Sequence, residues 1–307
     1  MKRIYLVAFA AFLFVTEMQG QQNPHYSQYM YNQSVVNPAY AGSTEALSLG
    51  ALHRRQWVGL DGAPVTTTLF GHKRVGKNVG LGLTALTDKI GPVKENNIYG
   101  DFSYTLDLGG PHKLALGLKA GVTMHDVNLF SEIGSEFVPD KNDPAFSKDE
   151  KSTLFNVGLG AYYYTENYYV GLGVPNILKG NYLNYDGKNF GTQEIHMFLT
   201  GGYVFDVNDQ LKLKPSAMVK YAMNAPVSFD VSFNALFMNK FEVGATYRLD
   251  DAIGGMVNYR VLPNLRVGYA YDHVMSDLKV KGKASHEFML LYDIYFSRKV
   301  SSSPRYF

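Results

Sequence analysis

The chain has 307 residues, with 29 Lys and Arg against 27 Asp and Glu, and it contains no cysteine. The net charge of +2 provides no positive field for nucleic acid. The lack of cysteine excludes disulfides, thiolate metal sites, iron–sulfur clusters and a cysteine nucleophile. Only 18% of the residues are charged, whereas 23 Tyr, 19 Phe and 30 Gly are present. This charge-poor, aromatic and glycine-rich composition favours a chain built of β-strands.

The first twenty residues have the three parts of a secretory signal peptide. Lys2 and Arg3 are positively charged, residues 4–15 are apolar, and a short polar stretch ends at Gly20. The apolar part is too short to span a bilayer. We expect residues 1–20 to be removed on export, with a buried N-terminal helix as the alternative.

From about residue 45 onward, apolar side chains recur at every second position. In residues 227–237, for example, Val, Phe and Ala alternate with Ser, Asp and Asn. Successive side chains of a strand point to opposite faces, so this spacing predicts strands with one apolar and one polar face. Fourteen such segments start near residues 45, 64, 78, 96, 112, 153, 168, 194, 210, 226, 240, 252, 264 and 285.

Strand length and the position of the charges distinguish a membrane barrel from a soluble one. Many segments reach about ten residues, which is enough for a tilted strand to cross a bilayer. Full charges such as Asp101, Lys119 and Glu242 lie in mid-strand on the polar face, which suits a wet or filled lumen. The sequence therefore predicts an all-β protein, a transmembrane antiparallel β-barrel of about fourteen strands surrounded by outer-membrane lipid.

The connections between the predicted strands alternate in length. Short turns of Gly, Asn, Asp and Pro follow every second strand, and most of the others are longer. Outer-membrane barrels have short periplasmic turns and long outer loops, so we expect both termini to be periplasmic. A cluster of five tyrosines beside the turn at 166–167 is expected to form part of an interfacial girdle. The longer connections are 58–64, 87–96, 126–153, 175–193, 222–226 and 274–284.

The segment ahead of the barrel is aromatic and nearly uncharged. Asn37-Pro38 and Ala41-Gly42-Ser43 provide turn-forming residues within it. Two interpretations remain open: the segment packs in the lumen as a plug, or it binds a partner. We divide the chain into a signal peptide (1–20), an N-terminal plug or periplasmic segment (21–43), an outer-membrane barrel (44–297) and a C-terminal tail (298–307).

Three sequence blocks carry a resemblance to a known family. They are Ser-Gln-Tyr with Asn-Pro-Ala-Tyr-Ala-Gly in residues 27–42, Arg-Gln-Trp-Val-Gly-Leu-Asp-Gly-Ala-Pro in 55–64, and Ser-His-Glu in 285–287. The chain resembles the PorP/SprF family of outer-membrane proteins of the type IX secretion system of Bacteroidota. The candidate plug and motif residues are Tyr26, Ser27, Gln28, Tyr29, Asn32, Asn37, Pro38, Tyr40, Gly42, Arg55, Gln56, Trp57, His286 and Glu287.

The resemblance implies a partner in protein secretion, cell-surface anchoring or gliding motility. Its partners would be a large secreted cargo protein, adhesin-like and with a C-terminal sorting domain, and other type IX secretion components. A porin or a hydrophobic-solute transport channel is the alternative function. Aromatic residues in two long connections are candidate partner contacts: Phe130, Phe137, Phe146, Tyr182, Tyr185 and Phe190.

No residue pattern supports catalysis, a cofactor or a metal site. Ser285 and His286 are neighbours on a strand and therefore point to opposite faces. The Gly-Leu-Gly stretches at 80–82 and 171–173 lie inside strands with no following helix, so dinucleotide binding is not indicated. The eight His residues are scattered without zinc-ligand spacing. The sole tryptophan, Trp57, is interpreted as an interface anchor or as part of a lumenal network.

Overall fold

The computed structural model describes residues 25–128, 149–185, 188–223, 225–275 and 284–296, and the side chains of 182–192 lie outside this description. Short helical turns at Tyr29–Tyr31, Gln33–Val36 and Pro38–Tyr40 precede the strands. The strands are β1 (Leu47–Arg55), β2 (Val65–Val75), β3 (Val79–Ile90), β4 (Val93–Asp107), β5 (Lys113–Val127), β6 (Glu150–Tyr164), β7 (Tyr168–Val174), β8 (Gly180–Tyr185), β9 (Lys188–Gln193), β10 (His196–Tyr203), β11 (Phe205–Asn208), β12 (Leu211–Ala222), β13 (Ser228–Phe237), β14 (Phe241–Arg248), β15 (Ala252–Leu262), β16 (Leu265–Val274) and β17 (Ala284–Ile294).

Fourteen of these strands form a closed antiparallel barrel. Each barrel strand pairs with the next along the chain, β10 pairs with both β7 and β12, and β1 pairs with β17 to close the ring. Three strands are not counted in this ring, because β8 and β9 form a separate hairpin and β11 continues the line of β10. Counted along the chain, β10 is thus the eighth barrel strand, β12 the ninth and β13 the tenth. This confirms the predicted fourteen-stranded barrel.

A proline interrupts one of the barrel ladders. Tyr203 ends β10, Val204 leaves the ladder, and β11 begins at Phe205 with the same register against β12. The residues opposite this gap are Lys214 and Pro215, and proline has no N–H to donate to a neighbouring strand. The amide of Val204 instead donates to the carbonyl of Asn167, at 2.7 Å.

The predicted strand starts lie within three residues of the observed ones, but two connections differ from expectation. The expected loop at 87–96 is mostly strand, because β3 and β4 continue outward and only Gly91-Pro92 separates them. Gly91 adopts a φ of +54°, which glycine tolerates in a tight turn. The expected loop at 175–193 contains the β8–β9 hairpin, whose strands leave the barrel wall.

The two ends of the barrel are named here by their connections. The short-turn end carries the connections at 76–78, 108–112, 165–167, 204–210 (which includes β11), 238–240 and 263–264. The long-connection end carries the others, including those at 56–64, 128–149 and 275–283. β1 begins and β17 ends at the short-turn end.

The barrel has its polar face inside and its apolar face outside. In β5, Leu116 and Leu118 are exposed, whereas the next residue, Lys119, is 1% exposed. Phe155 in β6 is 75% exposed, and its neighbour Asn156 is buried. This inversion of the usual distribution is the pattern of a barrel with lipid around it. None of the helical segments in the described ranges has the length and apolar character to cross a membrane.

We predict that a charge on the outer face destabilises the barrel according to its depth. Leu118 lies near the middle of β5 and is exposed, so Leu118→Arg should lower the free energy of unfolding by about 2–4 kcal/mol. Leu108, equally exposed at the short-turn end, is the matched control, and Leu108→Arg should cost about 0–1 kcal/mol. Denaturant unfolding in phospholipid vesicles measures both. Equal costs at the two positions would contradict a bilayer around mid-strand.

Candidate functional site

The N-terminal segment, residues 25–46, is the candidate site because it is buried among the inward-facing side chains of the barrel. Nearly all of its residues from 26 to 44 are buried. Its three helical turns are each only three or four residues long. Pro38 begins the last of these turns, and the Asn37 side chain accepts a hydrogen bond from the amide of Ala39 at 3.0 Å. This follows the turn chemistry expected from the sequence.

A cluster of buried charges holds the beginning of the segment, and we call it the Arg54 cluster. The guanidinium of Arg54 donates to Asp272 at 2.7 Å, to Glu287 at 3.2 Å and to the Ser27 hydroxyl at 2.8 Å. The Ser27 hydroxyl donates in turn to Asp272. The backbone amides of Ser27 and Gln28 donate to the two oxygens of Glu287, at 2.9 and 3.0 Å. Charge-assisted hydrogen bonds of this kind are stronger than neutral ones.

The Arg54 cluster also joins the strands at which the barrel closes. Arg54 is on β1, Asp272 on β16 and Glu287 on β17, and β1 and β17 are the first and last strands of the ring. Ser27 of the N-terminal segment contacts side chains of all three strands. The segment therefore cross-links the closing seam from inside.

A second charged group contacts the middle of the segment. The hydroxyl of Tyr31 donates to Glu242 of β14, and Lys214 of β12 donates to Glu242 at 2.6 Å and to the Tyr31 oxygen at 3.0 Å. Asn234 of β13 also donates to Glu242, at 2.8 Å. All of these side chains are fully or almost fully buried. The Glu242 carboxylate thus accepts hydrogen bonds from two other strands, β12 and β13, and from the segment.

Hydrogen bonds, most of them between neutral groups, link the later part of the segment to the opposite wall. Gln33 contacts Tyr169 and Thr200, each at 3.2 Å, and Asn37 donates to the carbonyl of Ala161 at 3.0 Å. Ser103 donates to the carbonyl of Ala41, and Arg74 donates to that of Gly42 at 2.9 Å. The Tyr40 ring lies edge-on to Tyr162 and to His72, with centroids 5.3 and 5.1 Å apart. The segment therefore makes polar contacts with both sides of the lumen.

Glycines in the barrel wall make room for this close approach. A Cβ at Gly117 would lie 2.2 Å from the amide nitrogen of Ala39, and one at Gly80 would lie 2.1 Å from the carbonyl oxygen of Ala41. A Cβ at Gly173 would lie 2.1 Å from the carbonyl oxygen of Val36. These distances are too short for any side chain. The Gly-Leu-Gly stretches at 80–82 and 171–173 therefore allow backbone to pack against backbone.

The first residues of the segment contact polar groups near the long-connection end. Lys220 lies 3.3 Å from the Nε2 atom of His25. Tyr26 is hydrogen bonded to Thr68, and Tyr29 to Ser216 at 3.0 Å. These contacts anchor the first residues of the segment to β2 and β12.

A cavity of about 600 Å³ opens at the short-turn end beneath the segment. Tyr31, Tyr40 and Thr44 of the segment line one side, and residues of β12, β15 and β16, such as Lys212, Arg260 and Arg266, line the other. Within the described ranges, no three His, Asp or Glu side chains are grouped so as to hold a metal ion.

The motif residues near the Arg54 cluster divide between the two faces of their strands. Glu287 faces inward and contacts the segment, whereas His286 is half-buried on the other face with its Nδ1 atom 2.7 Å from the Tyr269 hydroxyl. Arg55 is exposed, and the backbone N–H of Gln56 donates to the carbonyl of Pro64 at 2.9 Å. Trp57 has a φ of +46°, and its amide donates to the Ser285 hydroxyl at 3.3 Å.

Sequence reasoning named Arg55 and missed its neighbour Arg54. Leu52 and Arg54 lie on the inward face of β1. The alternation of apolar and polar residues in this strand therefore predicts that Arg54, and not Arg55, points into the lumen. The remaining motif residue Asn32 is buried within the segment.

The expected tyrosine girdle is divided in the same way. Tyr162, Tyr164 and Tyr169 are buried in the lumen, where they contact Tyr40, Arg74 and Gln33 respectively. Only Tyr163 and Tyr168 remain on the outer face, where Tyr168 stacks on Tyr203 with centroids 5.9 Å apart. The expectation of a five-tyrosine girdle was wrong because neighbours on a strand alternate between faces.

The candidate contacts in the long connections cannot be placed in the same detail. Phe130, Phe137 and Phe146 lie outside the described residues. The backbone of Tyr182, Tyr185 and Phe190 belongs to the β8–β9 hairpin, and their side chains are not described.

Comparison with known proteins identifies the family. The chain matches the family model "Type IX secretion system membrane protein PorP/SprF" over residues 18–292. Its fold is similar to that of the CymD monoaromatic hydrocarbon channel, with 16% identity and a TM-score of 0.51 over 91% of this chain and 95% of that one. It is also similar to the toluene transporter TbuX of Ralstonia pickettii, with 12% identity and a TM-score of 0.51 over 90% and 96% of the two chains.

At these identities the structural likeness establishes the fold alone. No curated protein sequence matches the chain. The family match covers nearly the whole barrel and the N-terminal segment, and the fold is that of outer-membrane proteins. The chain belongs to the PorP/SprF family of type IX secretion system membrane proteins and is an outer-membrane β-barrel.

Proposed function

We propose that this protein is a plugged, non-enzymatic outer-membrane barrel that docks or anchors a protein exported by the type IX system. The observation that carries the proposal is the N-terminal segment, which is buried in the lumen and hydrogen bonded to strands on both sides of it. A lumen occupied in this way offers no wide path for a solute. Function then belongs to the two rims of the barrel rather than to its interior.

The buried charges support a structural role for the lumen. Lys119 pairs with Asp101 at 2.7 Å, and Arg248 pairs with Asp230 at 3.1 Å. The Arg54 cluster and the Lys214–Glu242 pair are further ion pairs between inward-facing side chains of different barrel strands. Buried ions need such partners because desolvation costs several kcal/mol per ion. Charges paired with one another hold the wall and the segment together instead of facing a passing solute.

The proposed partner is a large secreted, adhesin-like cargo with a C-terminal sorting domain, held together with other secretion components. Family membership supports the secretion role, and the aromatic residues of the long connections support contact from outside. Aromatic side chains are enriched at the centres of protein interfaces. The alternative role of these aromatics is a folded cap in which they cover one another and the barrel mouth.

We predict that the intact protein conducts little current in a planar bilayer and that displacing the segment opens a pore. Gly117→Val places a side chain where the backbone of Ala39 lies, so it should raise conductance toward that of a variant lacking residues 25–43. Gly100→Val on the adjacent strand is the matched control, because a Cβ there meets nothing closer than 3.9 Å. The control should remain as closed as the unmodified protein.

A large steady conductance in the unmodified protein would contradict the proposal. It would favour the alternative function, a porin or a hydrophobic-solute channel, which is the kind of protein that the two similar structures represent. Heat-modifiable migration in SDS gels shows that each variant has folded before its conductance is measured.

We predict that the β8–β9 hairpin contributes to cargo binding. Simultaneous Tyr182→Ser, Tyr185→Ser and Phe190→Ser substitutions should leave the barrel folded and inserted but abolish co-purification with the cargo. The control is Val58→Ser with Leu60→Ser, which removes exposed apolar groups from a different connection at the same end of the barrel. Retained co-purification of the triple variant would assign these aromatics to a cap and move the docking surface elsewhere.

A further inference from the structure

The N-terminal segment has a direction along the barrel axis. His25 contacts Lys220, which lies two residues before the end of β12 at the long-connection end. Ser27 contacts Arg54, one residue before the end of β1 at that same end. The first described residues are therefore at the long-connection end of the barrel.

The later contacts of the segment lie progressively closer to the other end. Tyr29 contacts Ser216 near the middle of β12, and Tyr31 contacts Glu242, the second residue of β14. Gly42 contacts His72 and Arg74 in the last four residues of β2, at the short-turn end. β1 then begins at Leu47 at this same end. The segment thus runs the length of the lumen before the first strand starts.

We infer that the exported chain begins on the outer side of the membrane and passes inward through its own barrel before β1. Outer-membrane barrels place their short turns in the periplasm, so the long-connection end, with His25, is the outer one. A chain that started in the periplasm would have to pass along the same lumen twice. The lumen has little room for a second pass, since wall glycines at 80, 117 and 173 already contact the segment's backbone.

This inference differs from the expectation that both termini are periplasmic. The last strand, β17, ends at Ile294 at the short-turn end, whereas His25 lies at the long-connection end. The four residues between the predicted cleavage site and His25 can extend by up to about 14 Å. A chain of that length is too short to return through the lumen, so the inference places the amino end of the exported protein on the outer side.

The topology also constrains assembly. A chain end cannot easily be threaded through a barrel that has already closed, so the segment must be in place before β1 pairs with β17. The Arg54 cluster fits this order, because Ser27 and Gln28 contact β1, β16 and β17 at the seam that closes last. The inference rests on this geometry and does not depend on the proposed docking function.

Single cysteines provide the test, since the chain has none of its own. Asn23→Cys reports the amino end, Asp250→Cys the long-connection end and Asn239→Cys the short-turn end. The two reference positions are matched: both are exposed turn residues with positive φ, +56° at Asp250 and +53° at Asn239. Each variant is checked for heat-modifiable folding and treated, in intact cells, with a maleimide reagent that cannot cross the outer membrane.

The expected result is that Asn23→Cys and Asp250→Cys are labelled to the same extent, while Asn239→Cys is labelled only after the outer membrane is permeabilised. Labelling of Asn23→Cys together with Asn239→Cys would overturn the inference, whichever side that pair occupies. No labelling of Asn23→Cys, even after permeabilisation, would also overturn it, because the amino end would then remain inside the lumen. Gln22→Cys repeats the measurement one residue further from His25.

Discussion

A ring of fourteen strands is too wide for its own inward side chains to fill. Eight strands leave an interior that side chains just occupy, and sixteen or more leave an aqueous channel. In this barrel much of the remaining space is taken by the chain that precedes the first strand, and a cavity remains at the short-turn end. Because that chain is irregular, its backbone donors and acceptors need partners that no sheet provides. The inward serines, asparagines, glutamates and arginines of the wall supply them, and the polar lumen follows from this requirement.

The Arg54 cluster shows how filling and closure are coupled. Breaking one partner out of a buried ion pair typically costs about 3–5 kcal/mol, because the other charge is left without compensation. Here the charges of Arg54 on β1, Asp272 on β16 and Glu287 on β17 balance one another. The Ser27 hydroxyl and the amides of Ser27 and Gln28 complete the hydrogen bonding of this group. The seam of the barrel and the anchoring of the segment therefore share the same interactions. Loss of the segment would leave Glu287 buried with fewer donors.

The wall of the barrel could be predicted from the sequence far better than its contents. A strand exposed to lipid on one face and to a polar lumen on the other has a strict period of two, so the strand starts could be read to within three residues. The same period, applied residue by residue, would have selected Arg54 instead of Arg55 and divided the tyrosines at 162–169 between the two faces. The loop predicted at 87–96 was wrong because strands that project beyond the membrane carry polar residues on both faces, as Lys94, Glu95 and Asn96 do in β4.

The path of the N-terminal segment could not have been predicted in this way, because an irregular chain has no period and its contacts with the barrel wall are distant in sequence. Ser27 meets residues 245 and 260 positions away, and Tyr31 meets one 211 positions away. Family motifs mark these residues without saying which end of the barrel they occupy. The glycines of the wall are the nearest sequence signal, since strands without side chains at 80, 117, 160 and 173 leave room for another part of the chain to approach closely. That signal tells where the backbone of the segment passes, and only the three-dimensional contacts tell in which direction it travels. Direction matters most for function, because it decides which side of the membrane receives the beginning of the chain.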